Sequence, residues 1–335
     1  MNLGRTLFLV ALGVGLVGGS TRPAAAAEVK LARADDRVRV EIGGRLFTEY
    51  VFKGAYRPYC HPVLAADGTG LTRDFPMKQN TGEDVNHPHH RSLWFAHSDV
   101  NGVDFWNQDN VGSPRPKGRI IHDTLAETTS GKDAGVIRAT NKWVAPDDRV
   151  FCTDERTIRF SASGDDRVMD FEITLRAPAE APVKLGDNKD GGMAVRVAQW
   201  MNLPRPPGPG RGYTGGQGRI VTAKGDRGEA AWGKRGEWCD YHAEHNGKTY
   251  GIAIFDHPKN LRHPTWWHAR NYGVFSANPL GQKDFEVAAR HPPGKGDYTI
   301  PAGGSLTLRY RLIFHMGDEK AARLAERYAD YAAGK

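Results

Sequence analysis

Histidine, arginine and tryptophan are concentrated in one short stretch of the sequence. Residues 86–106 read NHPHHRSLWFAHSDVNGVDFW and contain four histidines. Histidine exchanges protons near neutral pH and also ligates metals, so the stretch suits acid/base chemistry or metal binding. His89, His90 and Arg91 stand directly before an apolar segment, and three bulky polar residues in a row are unsuited to a core. We therefore predict that these three side chains line a ligand site.

The histidine spacing argues against a metal centre in this stretch. On an extended strand His87 and His89 share one face, and His90 lies on the other. The sequence has no His-Glu-x-x-His motif and no Cys-x-x-Cys pair, which are common zinc spacings. Five histidines are followed directly by proline, which stiffens the backbone around the imidazoles. We predict no metal ion and no cofactor.

Three further segments carry side chains of the same kinds, at residues 57–76, 183–198 and 255–279. A histidine near a carboxylate can transfer protons, whereas arginine, lysine and tryptophan suit the hydroxyls and ring faces of a sugar. The predicted acid/base residues are His61, His89, His90, His263, Asp104 and Asp190. The predicted ligand-binding residues are Arg91, Trp106, Lys184, Arg196, Trp267 and His268.

A structural role is an open alternative for several of these residues. The pair Asn101-Gly102 is typical of a tight turn, and Asp104 either caps that turn or acts as a base. Trp94 lies in an alternating segment and is expected in the core. Trp266 and Trp267 are adjacent, so on a strand only one of the two faces a ligand.

The remaining segments are typical of β-strands. Residues 166–177 and 305–316 alternate apolar and polar side chains, as half-buried antiparallel strands do. Only one convincing helix is present, from Asp318 or Glu319 to Ala333, with its apolar residues near one face. We predict an all-β fold, a large antiparallel β-sandwich with one C-terminal helix.

The N-terminus has the features of a secretory signal peptide. Arg5 precedes an apolar run over residues 7–17, and an Ala-x-Ala cleavage motif ends at Ala27. We predict a signal peptide over residues 1–27, a single β-sandwich domain over residues 28–335, and export to the periplasm or the outside of the cell. No later stretch reaches 18 apolar residues, so we expect no membrane contact after cleavage.

Charge and cysteine content exclude two classes of protein. The net charge is +7, and cleavage would remove two arginines and no acids, which leaves +5. The basic residues are scattered, so we expect no nucleic-acid partner. The three cysteines, Cys60, Cys152 and Cys239, are too few for a disulfide scaffold and leave at least one thiol unpaired. Neither a disulfide pairing nor an oligomeric state follows from the sequence.

Three motifs together resemble a known family. They are HPHHRSLWFAHSDVNGVDFW (residues 87–106), KLGDNKDGGMAVRVA (184–198) and GIAIFDHPKNLRHPTWWHARNYGVFSANPLG (251–281). They resemble the PmoA-like family, a family of unknown function that automated labels often call "methane oxygenase PmoA". The resemblance implies a fold similar to the galactose-mutarotase-like β-supersandwich. In that superfamily sugars bind a concave sheet face, and histidines act there with a carboxylate.

Three functional hypotheses follow. The first is an exported carbohydrate-active protein that binds a sugar or modified glycoside in a groove lined by histidine, arginine and tryptophan, with epimerase- or lyase-type proton transfer. The second is a non-catalytic sugar-binding module, which needs the same aromatic residues but no histidine–carboxylate pair. The third is a metal-dependent oxidoreductase, as the family label implies. True particulate methane monooxygenase subunits cross the membrane several times, which this sequence is not expected to do.

Overall fold

The computed structural model describes residues 1, 27–109, 114–205, 214–292 and 294–334. The predicted signal peptide therefore lies outside the described residues, apart from its two end positions. Within the described ranges the strands are β1 (Val29–Arg33), β2 (Arg37–Ile42), β3 (Arg45–Val51), β4 (Tyr59–Val63), β5 (Leu93–His97), β6 (Arg119–Thr129), β7 (Ala134–Val144), β8 (Val150–Ser163), β9 (Asp166–Arg176), β10 (Val183–Leu185), β11 (Gly191–Arg196), β12 (Arg219–Thr222), β13 (Trp238–His245), β14 (Lys248–Asp256), β15 (Trp266–Ala269), β16 (Val274–Asn278), β17 (Tyr298–Ile300) and β18 (Ser305–Met316).

Most of these strands form two eight-stranded antiparallel sheets. The first sheet has the order β1-β2-β3-β4-β5-β11-β16-β15, and the second has the order β12-β13-β14-β18-β9-β8-β7-β6. Strands β10 and β17 pair separately. The prediction of a large antiparallel β-sandwich is confirmed.

The core lies between the two sheets because one face of each central strand is apolar. In β9 every second residue is buried, including Phe171 and Ile173, as the alternating pattern predicts. Phe95 of β5 lies parallel to Phe171 with ring centroids 6.4 Å apart. Tyr241 of β13 meets Phe275 of β16 at 5.7 Å. These contacts define which face of the first sheet looks inward.

The C-terminal helix α2 covers part of the second sheet. A short helix α1 (Gln282–Phe285), which the sequence analysis did not predict, precedes α2 (Leu324–Ala332). The predicted C-terminal helix is confirmed, but it begins later than expected. Asp318 accepts hydrogen bonds from the amides of Lys320 and Ala321, which closes a separate turn before the helix. Arg323 then has a left-handed backbone, so a continuous helix starts only after it.

The three cysteines are buried, free thiols, so none of the possible disulfides is formed. Burial raises the pKa of Cys60 to about 12, which keeps that thiol protonated and unreactive. Among the described residues no helix is long and apolar enough to cross a membrane.

Candidate functional site

His87, His89 and His90 lie on the outer face of the first sheet, the face turned away from the second sheet. Phe95 packs inward against a phenylalanine of β9, so its neighbour Trp94 points outward. Trp94 lies opposite Ala194, and Ala194 lies opposite Ser276. Ser276 in turn lies opposite His268. Cross-strand partners share a face, so β5, β11, β16 and β15 present their outward side chains together.

A tight turn before β5 stacks three aromatic rings against this face. His87 has a left-handed backbone with a φ of 49°, and its carbonyl accepts the amide of His90 at 3.0 Å. The His87 ring lies parallel to Tyr272 at 4.8 Å and to His90 at 4.9 Å. His90 in turn stacks on Trp94 at 5.4 Å. We call His87, His89 and His90 the histidine cluster.

Two buried arginines hold the backbone of the histidine cluster. Arg73 donates to the carbonyl of Asn86 at 2.7 Å and to the carbonyl of His87 at 2.9 Å. Arg57 donates to the carbonyl of His89. Neither arginine forms a salt bridge among the described residues, and burial lowers the pKa of Arg73 to about 8 and of Arg57 to about 9. Both side chains therefore order loops rather than neutralise acids.

The hydrogen bonds around Asn86 determine which nitrogen of each imidazole carries a proton. Arg73 and Arg196 only donate, and both reach Asn86 Oδ1, at 3.1 and 2.9 Å. His87 Nδ1 lies 3.0 Å from the same oxygen, so it must donate as well, which leaves His87 Nε2 as an acceptor. Arg196 also donates to His90 Nδ1 at 3.0 Å, so the proton of neutral His90 is on Nε2.

Burial keeps the cluster uncharged. Burial, followed by the positive charges of Arg196 and Arg73, lowers the pKa of His87 to about 4. Burial, followed by the neighbouring His89 and Arg196, holds the pKa of His90 well below its usual value. Burial likewise depresses the pKa of His89. At neutral pH the cluster therefore offers a hydrogen-bond acceptor on His87 and a donor on His90.

A carboxylate and an ammonium group flank the cluster on one side. Asp190 pairs with Lys189, with the Lys189 Nζ atom 2.8 Å from Asp190 Oδ1. Asp190 Oδ1 also lies 3.7 Å from His268 Nδ1, and His268 donates to the Lys189 carbonyl at 2.9 Å. Burial lowers the pKa of His268 to about 4, so His268 is neutral at pH 7. The acid Asp190 is half-buried and within reach of a ligand on the outer face.

An arginine and two aromatic rings continue this flank. The Arg270 guanidinium lies 4.6 Å from the Trp232 ring centroid and 5.7 Å from that of Tyr272. Arg270 forms no salt bridge among the described residues. Together with Glu229 and Asn271, Arg270 and Trp232 line a cavity of about 180 Å³. A half-exposed cation between aromatic faces suits a polar, ring-shaped ligand.

On the opposite flank, His61 pairs with an aspartate that lines an open cavity. His61 Nε2 is 2.9 Å from Asp74 Oδ1. The cavity has a volume of about 490 Å³, and its lining includes Thr72, Asp74, Asn80, Glu83, Gln199 and Trp200. Arg73, which follows Thr72 in the chain, links this cavity to the histidine cluster through its bonds to Asn86 and His87.

Six predicted residues thus lie on this face: His61, His89, His90, Asp190, Arg196 and His268. Arg91 lies beside them, 3.1 Å from Asp109, with its guanidinium 5.8 Å from the Tyr59 ring centroid. Its charge is therefore partly neutralised by a neighbouring acid.

Two predicted residues lie elsewhere. His263 pairs with Asp256 at 2.7 Å, and its Nε2 faces the Tyr328 hydroxyl of α2 at 3.3 Å. Lys184 on β10 forms an exposed ion pair with Asp297 at 2.6 Å. The structure does not bring either residue to the histidine cluster, and neither is part of the site that we propose.

Three predicted residues are fully enclosed. Trp267 has no exposed surface and donates to the Gly236 carbonyl at 3.0 Å from within the core. Trp106 is buried against Trp94 at 5.0 Å. Asp104 accepts a hydrogen bond from the amide of Trp106 at 2.9 Å and pairs with Lys117 at 3.0 Å. Its carboxylate therefore stabilises the local turn. We leave these three side chains out of the proposed site.

Several residues of the site were not among the predicted site residues: Arg73, His87, Lys189, Arg270 and Tyr272. Each lies within one of the segments already singled out. The strand spacing that assigned the histidines to two faces does not apply at His87, because the chain turns there. Tyr272 lies about 185 residues from His87 in the chain, and no local pattern could pair them.

A model of one protein family matches residues 37–329, nearly the whole described chain. The chain belongs to the family of unknown function DUF6807. No protein of curated function matches it significantly. Since the DUF6807 description names no activity, the match identifies the family but not a reaction.

Several solved structures resemble this DUF6807 chain. A galactose mutarotase-like protein from Clostridium acetobutylicum is 9% identical over 88% of this chain and 100% of its own, with a TM-score of 0.36. A GH36 α-galactosidase from Geobacillus stearothermophilus is 12% identical over 87% of this chain and 40% of its own (TM-score 0.33). A polysaccharide lyase is 14% identical over 88% of this chain and 33% of its own (TM-score 0.29). This chain spans less than half of the length of the last two proteins. TM-scores this low carry no argument about function.

Proposed function

We propose that the outer face of the first sheet binds a sugar or modified glycoside and that His87 exchanges a proton with it. The observation that carries the proposal is the hydrogen-bond arrangement that leaves His87 Nε2 as an acceptor on a half-buried ring. Trp232 and Tyr272 offer ring faces beside it, and Arg270 offers donors without an acidic partner among the described residues. A sugar needs this mixture of ring faces and hydroxyl partners.

The position of His87 beside a carboxylate and an arginine is compatible with epimerase- or lyase-type chemistry. His87 Nε2 would accept a proton from a carbon of the sugar, which makes the imidazole cationic. The nearby Asp190 carboxylate, whose charge already favours the protonated form of His87, would stabilise that cation. Negative charge that develops on the sugar would meet Arg270 and the Nε2 proton of His90.

A glycan panel tests the proposal. We expect His87→Ala to lower turnover by about 10²- to 10⁴-fold, the usual contribution of a general base. We expect Arg270→Ala to weaken binding by about tenfold or more, since it removes a charged donor. Product analysis measures the turnover, and calorimetry measures the binding. His122→Ala, on the edge strand β6, is the control and should change neither; unchanged binding and turnover in both site variants would refute the proposal.

A non-catalytic sugar-binding module is the second candidate. The low pKa of His87, about 4, favours it because a weakly basic imidazole accepts protons poorly. The histidine–carboxylate contact of 3.7 Å between His268 and Asp190 favours catalysis instead. A panel in which sugars bind but no product forms over long incubation would identify the binding module.

A metal-dependent oxidoreductase is the third candidate, which rests only on the label of the PmoA-like family that the sequence motifs resemble. In that case purified protein would carry copper, iron or zinc that His87→Ala or His89→Ala removes. Metal that both variants retain would argue against such a centre in the histidine cluster.

We further propose that the protein is exported and that residues 1–27 are removed. Strand β1 begins at Val29, directly after the predicted cleavage point, and β1 is completely paired with β2. Intact-mass measurement of protein recovered from the periplasm or medium should give an N-terminus at Glu28. Full-length protein confined to the cytoplasm would contradict this prediction.

A further inference from the structure

A second group of buried ionisable residues lies far from the histidine cluster, on the outer face of the second sheet. Asp240 and His242 are on β13 and His315 is on β18, with exposures of 0%, 4% and 2%. The segment between β18 and α2 covers them and contributes Glu319. Buried charge of this density requires partners, because removing it from water is costly.

One carboxylate organises both imidazoles. Asp240 Oδ1 lies 2.9 Å from His315 Nε2, and Asp240 Oδ2 lies 2.7 Å from His242 Nδ1. A carboxylate only accepts, so each of these two nitrogens carries a proton. That leaves Nε2 as the His242 nitrogen that can offer a lone pair.

The intervening strand is adapted to this contact. His315 on β18 reaches Asp240 on β13 across β14, where Gly251 is its cross-strand neighbour. A Cβ atom on Gly251 would lie 2.2 Å from Cε1 of His315, so only glycine leaves room for the ring. The glycine on β14 therefore makes room for the contact between His315 and Asp240.

The consequence is a pair of acceptors that face each other. His242 Nε2 lies 4.0 Å from Glu319 Oε2, and no hydrogen bond within the described residues reaches that nitrogen. The other oxygen of Glu319 is 3.2 Å from Arg227 Nη2, which leaves Oε2 available. Ligand atoms of Asp240, His242 and Glu319 all lie within 4.8 Å of one another. Two acceptors at this distance are stabilised by a cation between them.

We propose that His242 Nε2 and Glu319 Oε2 bind a divalent metal ion of the zinc type, with water completing its coordination. Zinc–nitrogen and zinc–oxygen bonds of about 2.0–2.2 Å at the tetrahedral angle place two ligand atoms roughly 3.4 Å apart, so the Glu319 carboxylate would close on His242 from 4.0 Å by about half an ångström. Asp240 on Nδ1 supplies the carboxylate that orients a metal-binding histidine. The ion would fasten the segment that leads into α2 onto β13. This proposal does not depend on the sugar site.

Zinc titration of the full chain tests the site. After dialysis against a chelator, ZnCl₂ should bind at about one equivalent and raise the melting temperature, because a ligand of the native state stabilises it. Glu319→Gln keeps the size of the side chain and should weaken zinc binding by about tenfold or more, as loss of a ligand does. His242→Ala should do the same. CaCl₂ should produce no shift, since calcium takes oxygen ligands.

The part-buried pair His291–Glu286 is the matched control. Its atoms are 2.6 Å apart, so the two groups already satisfy each other. His291→Ala should retain zinc binding. Absence of a zinc equivalent in the unaltered protein, or equal zinc affinity in Glu319→Gln and His291→Ala, would overturn the proposal.

Discussion

The chemistry available at the histidine cluster depends on which ring nitrogen of each imidazole carries the proton. Asn86 decides this, because two arginines use its oxygen and force His87 to donate through Nδ1. His90 has the opposite tautomer because Arg196 donates to its Nδ1. Two stacked imidazoles therefore have different roles, acceptor and donor, because their Nδ1 atoms have different hydrogen-bond partners.

A substitution at Asn86 tests the tautomer assignment. Asn86→Ala removes the shared acceptor and should lower the free energy of unfolding by about 1 to 3 kcal/mol, the cost of buried donors left without a partner. Long-range ¹H–¹⁵N spectra should show a protonated Nδ1 on His87 in the unaltered protein and a mixture of tautomers in the variant. Asn80→Ala, which removes only a surface bond to Asp74, should leave the His87 signals unchanged. A protonated Nε2 on His87 in the unaltered protein would contradict the assignment.

At the scale of elements, alternation predicted the strands well. The period-two patterns at residues 166–177 and 305–316 correspond to β9 and β18 within a residue, since each strand has one buried and one polar face. Helix boundaries were less predictable. The Asp318 turn and the left-handed Arg323 delay the start of α2, and neither feature interrupts the helical apolar pattern.

The packing of β14 against its neighbours leads to a second prediction. Gly251→Ala would place a methyl group against the His315 ring and should lower the free energy of unfolding by about 1 to 3 kcal/mol, as overpacking does. Urea denaturation measures the change. Gly70→Ala is the control, since no atom lies within 4 Å of its added Cβ and its backbone is not left-handed. Equal stability of both variants would show that His315 does not cross β14 as described.

At the scale of the whole molecule, the two sheets decide which side chains can meet. The first sheet brings together residues from segments that are far apart in the chain, because β5 pairs with β11 and β11 with β16. The same pairing turns Trp267 into the core and His268 outward. Neutral, buried histidines accumulate on this face, which makes stability depend on pH.

Stability should fall on mild acidification. His87 and His268 have a pKa of about 4 in the folded chain, below the ordinary value of 6.5, so the unfolded chain binds more protons between these limits. The contribution of these two neutral histidines to the free energy of unfolding is complete above pH 6.5 and is lost as the pH falls towards 4. For the buried His268 this contribution to the free energy of unfolding is about 3 kcal/mol.

Urea denaturation at pH 7.5 and pH 5 measures this dependence. His268→Gln should lose less stability than the unaltered protein between the two pH values, because glutamine does not titrate. An identical loss in both proteins would rule out His268 as a source of acid sensitivity.

Local patterns in the chain were sufficient for the β class, the inward face of the central strands, the C-terminal helix and the segments that supply the candidate site. These properties depend on residues a few positions apart, where periodicity applies directly. The contact of His87 with Tyr272, the enclosure of Trp106 and the remoteness of His263 depend on strand order and on turns that bring distant segments together. Sheet register is a long-range property, so only the folded chain shows which of the histidines act together.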